Sequence, residues 1–309
     1  MITTITLNAS IDKAYSMKEA IVNGTVMRVA ECRNSAGGKG LNVARIAKTC
    51  GSRVLASGMC GGFNGEYLKS MLDQDGIPHR MIRIAGETRS CINILDPKYG
   101  STEYLEPGTM VTAQEEQHFL EQFPELIADS RVVTISGSIP KGMSRDIYGR
   151  LIRLAKEAGK KVILDTSGDL LAEGLKFQPT MIKPNRDEIE ALFGIEVHST
   201  EDVIEYAKKL ADTGIEYVVI SLGKDGALLV CKEGVYQGIA PSIQAVNTVG
   251  CGDSMVGAFA VALEREYSPE QALTYAIAVA SSSAMSPNTG DFDPEVFQRI
   301  HDQVVVKKI

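Results

Sequence analysis

One short segment combines glycines, a thiol and a carboxylate in a way that suits anion chemistry. The sequence NTVGCGDSMVGAF begins at Asn247, and it places Gly250, Gly252 and Asp253 just before apolar residues at helical spacing. A helix N-terminus offers unpaired N–H groups and partial positive charge, and glycines let the backbone approach a ligand closely. An acid belongs beside such an anion cradle if it takes a proton from a hydroxyl that attacks a phosphoryl group. The segment alone equally allows Asp253 to be an ordinary helix N-cap.

Two further segments carry groups suited to phosphates and sugars. In NSAGGKGLNVA, three glycines surround Lys39 just before a predicted helix, and the lysine offers a point charge for a phosphate. In LNASID, Asn8 and Asp12 follow the first predicted strand, and both are good partners for sugar hydroxyls. Both segments therefore predict contacts with a phosphorylated or hydroxylated ligand.

Charged residues in two other segments each leave two interpretations open. In KPNRDE, Asn185 and Glu188 are three residues apart where a strand pattern gives way to a helix pattern. A carboxylate there suits Mg²⁺, but it would also stabilise the first turn of the helix. In ETRSCINI, Arg89 lies on a β-rich segment, where it is either a solvated charge or a ligand of an anion.

The elements that must position these residues alternate between strand and helix patterns. Apolar strands such as RVVTISGS and KKVILDTSG alternate with amphipathic helices, which predicts a mostly parallel sheet covered on both faces. Binding sites in such sheets lie outside the carboxyl ends of the strands, where all the candidate segments fall. Residues 13–33 and 79–106 are β-rich and break the alternation, so they are expected to form a small lid over that edge or surface hairpins without a function.

The composition excludes several classes of protein. The chain has 309 residues, 44% of them hydrophobic, and a net charge of -7, so no global basic field would attract nucleic acid. Its six cysteines form no C-x-x-C pair, which disfavours a zinc or redox site, and no apolar run is long enough to span a membrane. A cytoplasmic protein with reduced thiols is therefore expected. The sequence contains neither a P-loop nor a G-x-G-x-x-G motif.

Four motifs in this order give the chain a family resemblance. With AGGKGLNVA, KPNRDE, SLGKDGA and TVGCGDSMVGAF, it resembles the ribokinase-like (PfkB-type) sugar kinases over essentially its whole length. The resemblance implies a single kinase domain over residues 1–309, with a three-layer α/β/α sandwich and a small β lid. It implies transfer of a phosphoryl group from Mg²⁺-ATP to a sugar hydroxyl, with Asp253 as the base. The N–H groups of Gly250, Cys251 and Gly252 would form the anion hole.

The resemblance also implies roles for the other site residues. Those expected to bind the substrate are Asp12, Arg28, Gly37, Gly38, Lys39, Asn42, Arg89 and Ser138. Those expected on the nucleotide side are Lys183, Asn185, Ser221, Gly223 and Gly226, and those expected to hold Mg²⁺ are Asp165 and Glu188. The family usually has Ala where this chain has Cys251, but a hole made of backbone should tolerate a small side chain. Lids of this kind often pair between subunits, so a homodimer is expected.

Within the family, the chain is similar to the branch that acts on phosphosugars. TLNASID, Lys39 and Arg89 favour that branch, which holds 1-phosphofructokinases and tagatose-6-phosphate kinases. GGFNGEYLKSML and LDTSGDLL favour the first enzyme, whereas GETRSCINIL favours the second. Two alternatives stay open. The first is a kinase of an unphosphorylated sugar or a nucleoside, and the second is a non-catalytic sugar-phosphate sensor, which would be expected to lack Asp253 or Glu188.

Overall fold

A ten-stranded sheet forms the centre of the computed structural model, which describes residues 1–309. Its strands lie in the order β14-β13-β12-β11-β10-β9-β8-β1-β4-β5. The seven strands from β11 to β5 in this order are parallel, and β12, β13 and β14 extend the sheet in antiparallel fashion. These strands are β1 (Ile2–Thr6), β4 (Val54–Cys60), β5 (His79–Arg83), β8 (Val132–Ser136), β9 (Lys161–Asp165), β10 (Met181–Ile182), β11 (Tyr217–Ser221), β12 (Ala227–Cys231), β13 (Gly234–Ile239) and β14 (Val305–Lys308). The central strands are apolar runs such as VVTIS and are buried on both faces, as parallel strands between two helical layers must be.

Ten helices cover the two faces of this sheet and bury two separate hydrophobic clusters. They are α1 (Lys39–Thr49), α2 (Gly62–Gln74), α3 (Ala113–Leu126), α4 (Ile147–Glu157), α5 (Gly168–Leu175), α6 (Arg186–Phe193), α7 (Thr200–Ala211), α8 (Cys251–Glu264), α9 (Pro269–Met285) and α10 (Pro294–His301). Helices α1, α2, α8 and α9 contribute to one cluster, and α3 to α7 contribute to the other. The predicted three-layer α/β/α architecture is therefore confirmed. None of the helices combines the length and the hydropathy that crossing a membrane requires.

A separate four-stranded sheet stands beyond the carboxyl end of β1. It consists of β2 (Ser10–Ser16), β3 (Glu31–Gly37), β6 (Arg89–Asp96) and β7 (Gly100–Leu105), in the order β3-β2-β6-β7. The lid was predicted over residues 13–33 and 79–106, and these ranges differ from the observed strands at their ends. The prediction that the lid includes residues 79–83 was wrong, because these residues form β5, which pairs with β4 as the edge strand of the large sheet. A β-rich pattern indicates a strand but not the sheet that it joins.

Helices α1 and α8 pack closely along one face of the large sheet, and a glycine makes the contact possible. A Cβ atom added to Gly257 of α8 would lie 2.7 Å from Cγ2 of Ile46 and 3.2 Å from the carbonyl oxygen of Val43, both on α1. Both helices begin at the same edge of the sheet, so this contact sets the distance between their N-termini.

We expect Gly257→Ala to destabilise the protein although alanine is the better helix former. The added methyl group overpacks the α1–α8 contact, which should lower the free energy of unfolding by roughly 1–3 kcal/mol. Denaturant unfolding would measure this change. Gly65→Ala in α2 is the matched control, because its nearest neighbours would be 3.3–3.5 Å away, close to ordinary contact. Equal effects of the two substitutions would contradict the packing argument.

Candidate active site

A cleft of about 740 Å³ lies between the small sheet and the carboxyl ends of the large sheet's strands. Thr6, Ser136 and Ser221 line it where β1, β8 and β11 end, and residues of β2 and β6 line it from the small sheet. The cleft brings together most of the residues that the sequence singled out: Asp12, Gly38, Lys39, Asn42, Arg89, Ser138, Lys183, Asn185, Glu188, Ser221, Gly223, Gly250, Gly252 and Asp253.

The N-terminus of α8 points free backbone donors at this cleft. Gly250 is the N-cap residue and has a φ of 80°, a conformation that favours glycine. The N–H groups of Gly250, Gly252 and Asp253 have no acceptor within the protein, whereas the N–H group of Cys251 donates to the carbonyl oxygen of Thr248 at 3.3 Å. The predicted contribution of Cys251 to the anion hole is therefore not supported by this geometry, and the N–H group of Asp253 is available instead.

The Cys251 side chain takes no part in the cleft. Its thiol does not line the cavity, and burial raises the pKa of this thiol to about 11, with a further contribution from the charge of Asp253. A thiol with so high a pKa is poorly nucleophilic at neutral pH. Cys251 therefore behaves as a small filling residue at the position where it differs from the family.

Asp253 is a buried carboxylate and not the cap of its helix. It is the third residue of α8, it is 6% exposed, and its Oδ2 accepts a hydrogen bond of 2.8 Å from Nδ2 of Asn42 on α1. Burial, and next the negative charge of Asp165, raise the pKa of Asp253 to about 6. A carboxylate with this pKa is mostly ionised at neutral pH yet accepts a proton readily, as a general base must.

Two lysines and one aspartate form a charge cluster near Asp253, in which Asp165 and Lys183 are buried and the Lys39 side chain is 42% exposed. Asp165 lies with Oδ2 at 3.3 Å from Nζ of Lys39 and with Oδ1 at 3.4 Å from Nζ of Lys183. Burial would raise the pKa of Asp165, but the charges of Lys183 and Lys39 outweigh it and hold that pKa below its usual range. Burial likewise opposes the charge on Lys39, and Asp165, Asp253 and Glu188 overcome it and raise the pKa of this lysine.

This cluster changes the interpretation of Asp165. The side chain is 2% exposed and does not line the cleft, so the structure places it as the counter-ion of two lysines rather than as a ligand of Mg²⁺. The ammonium group of Lys183 lies close to the start of α8. A Cβ atom added to Gly252 would be 3.4 Å from Nζ of Lys183.

The small sheet supplies the opposite wall of the cleft. Asp12 on β2 accepts a hydrogen bond of 2.6 Å from the Ser10 hydroxyl, and a Cβ atom on Gly37 would collide with its carboxylate at 2.0 Å. Glycine at position 37 is therefore required for Asp12 to lie where it does. Three hydrogen bonds to backbone carbonyl oxygens hold the guanidinium group of Arg89 on β6 in place. Nε and Nη2 donate to the carbonyl oxygen of Asn8 at 3.2 and 3.0 Å, and Nη1 donates to that of Glu106 at 2.8 Å.

The same corner holds the Ser138 hydroxyl. It accepts a hydrogen bond of 3.1 Å from Nδ2 of Asn8, so Ser138, Asn8 and Arg89 form one connected group. Arg89 lines the cleft and forms no ion pair with an acidic side chain, although its charge lies close enough to Asp12 to favour ionisation of that carboxyl. Its positive charge is available to an anionic ligand.

Residues at the start of α6 lie on the other side of Asp253. Asn185 caps α6 through Oδ1, which accepts from the N–H group of Glu188 at 2.8 Å, and Oε2 of Glu188 accepts from the N–H group of Asn185 at 2.9 Å. This capping box uses one carboxylate oxygen, and Oε1 of Glu188 has no protein partner. One free carboxylate oxygen facing the cleft fits Mg²⁺, which is commonly held by one or two carboxylates together with substrate phosphates.

Two predicted site residues lie away from the cleft. Arg28 is exposed on the connection between β2 and β3, and it does not line the cavity. Gly226 lies within the turn before β12. A Cβ atom there would be 2.1 Å from the carbonyl oxygen of Gly238, so glycine is needed for the close approach of these two backbone segments. The sequence reasoning missed Ser10, which lies within LNASID and contacts Asp12, and Arg45, which directly follows NSAGGKGLNVA and contacts Asn42.

Comparisons with known proteins agree with this geometry. Residues 5–295 match the pfkB family carbohydrate kinase. Phosphofructokinase-2 from Escherichia coli is 30% identical, with 98% of each chain covered and a TM-score of 0.92. A possible 1-phosphofructokinase from Thermotoga maritima is 26% identical, with 100% of this chain and 99% of that chain covered and a TM-score of 0.91. Arabidopsis thaliana ribokinase, 21% identical with 97% and 98% of the two chains covered, has the same fold at a TM-score of 0.78.

The family match spans nearly the whole chain, and it includes the helix start that carries Asp253 and the free N–H groups. The large sheet with its two helical layers and the smaller sheet correspond to the ribokinase-like fold. This chain therefore belongs to the PfkB family of carbohydrate kinases.

Proposed function

We propose that this protein transfers a phosphoryl group from ATP to a ketohexose monophosphate, fructose 1-phosphate or tagatose 6-phosphate, and so forms the bisphosphate. The observation that carries the proposal is the position of Asp253. A buried carboxylate with a raised pKa lies beside unpaired N–H groups, in a cleft whose opposite wall carries the cation Arg89. This arrangement suits proton removal from a hydroxyl while an anion is held on each side of it.

The chain's own residues account for the main steps. Asp253 takes the proton of the acceptor hydroxyl as its oxygen forms a bond to the γ-phosphorus of ATP and the bond to the β-phosphate oxygen breaks, which releases ADP. The N–H groups at the start of α8 donate to the transferred phosphoryl oxygens, and Lys183 adds positive charge beneath them. Bound Mg²⁺ would neutralise charge on the phosphates, and Glu188 is the residue placed to help hold it.

Arg89 of the small sheet favours a phosphorylated substrate over a plain sugar. Arg89 is fixed in place by backbone carbonyl groups, so it offers its remaining donors at little cost in side-chain entropy. A ketohexose furanose has a CH₂O group on each side of the ring oxygen, one of which carries the phosphate while the other is the acceptor. One pocket of this kind suits fructose 1-phosphate and tagatose 6-phosphate.

A third sugar phosphate is a candidate on the strength of the comparisons. Phosphofructokinase-2 from Escherichia coli has been crystallised in complex with fructose-6-phosphate, and it resembles this chain at 30% identity. Fructose 6-phosphate therefore belongs in the same substrate panel. A non-catalytic sensor is disfavoured, because Asp253 and Glu188 are both present and both line the cleft.

We further propose that the outer face of the small sheet pairs with a second copy of the chain. Side chains alternate along a strand, so Tyr15, Ile92, Ile94 and Tyr104 lie on the face opposite Asp12. Tyr104 is 60% exposed and the other three are half-buried, and an apolar patch that remains accessible often marks an interaction surface. Phosphofructokinase-2 from Escherichia coli, for comparison, has a tetrameric inhibited form.

Asp253→Asn should abolish most of the activity without loss of stability. We expect turnover to fall by roughly two to four orders of magnitude, because the amide cannot accept the proton. The folded state raises the pKa of Asp253, so ionisation of this group costs stability as the pH rises through about 6. The variant should therefore unfold at an equal or higher temperature at neutral pH. An Asp253→Asn variant that is unstable, or that keeps most of its rate, would contradict the assignment.

For the native enzyme, kcat/KM should fall as the pH decreases below about 6, because Asp253 then becomes protonated.

Arg89→Ala should reduce the preference for phosphorylated sugars. Loss of a charge-assisted hydrogen bond should weaken phosphosugar binding by roughly 1.5–3 kcal/mol, whereas the KM for ATP should change little. An ADP-release assay would compare fructose 1-phosphate, tagatose 6-phosphate, fructose 6-phosphate and free fructose. Because Arg89 also supports the backbone, the decisive quantity is the ratio of kcat/KM for a phosphosugar to that for free fructose. Arg33→Ala on β3 is the matched control. An unchanged ratio would show that Arg89 is only structural.

Tyr104→Glu should weaken self-association if the small sheet forms the dimer interface. The added charge would be desolvated against the partner's apolar face. Sedimentation analysis over a range of protein concentrations would measure the association state. Val305→Glu is the control, since Val305 is 48% exposed on β14 of the large sheet. A monomeric native protein, or equal effects of both substitutions, would rule out this interface.

A further inference from the structure

The guanidinium group of Arg45 lies directly behind Asn42, on the side away from the cleft. Nη1 donates to Oδ1 of Asn42 at 3.0 Å, Nη2 donates to the carbonyl oxygen of Ala36 at 2.5 Å, and Nε donates to Oδ2 of Asp75 at 2.9 Å. The side chain is only 13% exposed. Three acceptors in different directions therefore fix both the place and the plane of this group.

This contact determines which end of the Asn42 amide faces Asp253. Arginine only donates hydrogen bonds, so Oδ1 of Asn42 must face Arg45 and Nδ2 must face the carboxylate of Asp253. In the reversed orientation, an amide oxygen would lie against a carboxylate oxygen, and both would be acceptors. Asp75, Arg45, Asn42 and Asp253 thus form one continuous chain of hydrogen bonds.

We propose that Arg45 is a positioning residue for phosphoryl transfer, because it fixes the Asn42 amide so that Asp253 always receives a hydrogen bond. The inference rests on the proposed role of Asp253 as the base. Arg45 itself touches neither the acceptor hydroxyl nor the transferred group. Its hydrogen-bonded path to the base passes through Asn42, and its charge also favours ionisation of Asp12 on the substrate side of the cleft.

The hydrogen bond from Asn42 opposes the other influences on Asp253. Burial and the charge of Asp165 raise the pKa of this carboxylate, whereas Lys39, the Asn42 amide and Lys183 lower it. Cys251 is the remaining titratable neighbour, and its thiol is protonated at neutral pH. Loss of Arg45 leaves all these groups in place and removes the restraint on the amide, together with the contacts of Arg45 to the Ala36 carbonyl oxygen and to Asp75. The pKa of Asp253 should then rise, and a larger fraction of the base should be protonated near neutral pH.

Arg45 is also accessible from a second cavity of about 570 Å³. Arg33, Lys48 and Asp75 line this cavity with Arg45, and it opens behind α1, whereas Asn42 lines the catalytic cleft. The space that Arg45→Ala creates would therefore be reachable by a small cation. Free guanidinium has the shape and the donors of the missing group, which permits a chemical rescue.

The first experiment measures activity with and without this rescue. Arg45→Ala should lower kcat by about ten- to hundredfold, as expected when a catalytic group is misplaced. The acidic limb of its pH profile should move upward by about one pH unit, the effect of losing one hydrogen bond to a charged group. Millimolar guanidinium chloride should restore much of the rate, and sodium chloride at equal ionic strength should not. Equal recovery in both salts, or an unmoved acidic limb, would overturn the proposal.

The second experiment does not depend on activity. Carbon-13 NMR of labelled aspartate would follow the titration of Asp253 in the absence of substrates, with its signal identified by its loss in Asp253→Asn. Arg45→Met, which keeps the aliphatic packing, should raise the midpoint by about one pH unit. Lys48→Met is the matched control, because Lys48 lies on the same helix and lines the same cavity without contacting Asn42. The control should titrate like the native protein.

The two experiments separate this inference from the proposed function. If the midpoint moves only in Arg45→Met but Asp253→Asn retains its activity, the positioning role stands and the assignment of the base fails. If Asp253→Asn is inactive and the midpoint does not move in Arg45→Met, the base stands and the positioning role is overturned. An equal shift in Lys48→Met would also overturn it, because loss of any nearby cation would then suffice.

Discussion

The site depends on keeping a buried carboxylate charged. Asp253 is nearly inaccessible to solvent and lies close to a second buried carboxylate, Asp165. Two like charges in a poorly solvated region would normally cause one of them to take up a proton. Lys39 and Lys183 prevent this for Asp165, whose pKa stays low, and they leave Asp253 as the carboxylate with the raised pKa. The lysines thereby divide the pair into a permanent counter-ion and a group that can accept a proton.

The fold supplies this arrangement from elements far apart in the chain. Lys39 and Asn42 begin α1, Asp165 ends β9, Lys183 follows β10, and Asp253 begins α8. They meet because parallel strands place their carboxyl ends along one edge of the sheet and the following helices start there. The close α1–α8 packing at Gly257 then sets the 2.8 Å contact between Asn42 and Asp253. Precision at the site is thus a consequence of packing in the helical layer beneath it.

The sequence predicted the architecture and most of the cleft, because both leave local patterns. Apolar runs and helical periodicity indicated the layers, and glycines before helices indicated the backbone donors around Gly250. Side-chain partners over long separations leave no such pattern. For that reason the pairing of Asp165 with two lysines, the contact of Arg45 with Asn42 and the place of β5 in the large sheet were not foreseen. The N-cap alternative for Asp253 also required coordinates, since both interpretations place it at a helix start.

The large sheet positions the groups proposed for phosphoryl transfer, and the small sheet carries groups proposed for recognition of the sugar. Every group proposed to act on the transferred phosphoryl group belongs to a helix start or a strand end of the large sheet, whose position is set by the core. Two of the groups proposed to select the sugar, Asp12 and Arg89, lie on the separate four-stranded sheet. Changes in the small sheet can therefore alter the substrate without disturbing the base or the anion hole. This division is consistent with neighbours that share the fold at TM-scores of 0.91 and 0.92 and carry different enzyme names, phosphofructokinase-2 and possible 1-phosphofructokinase.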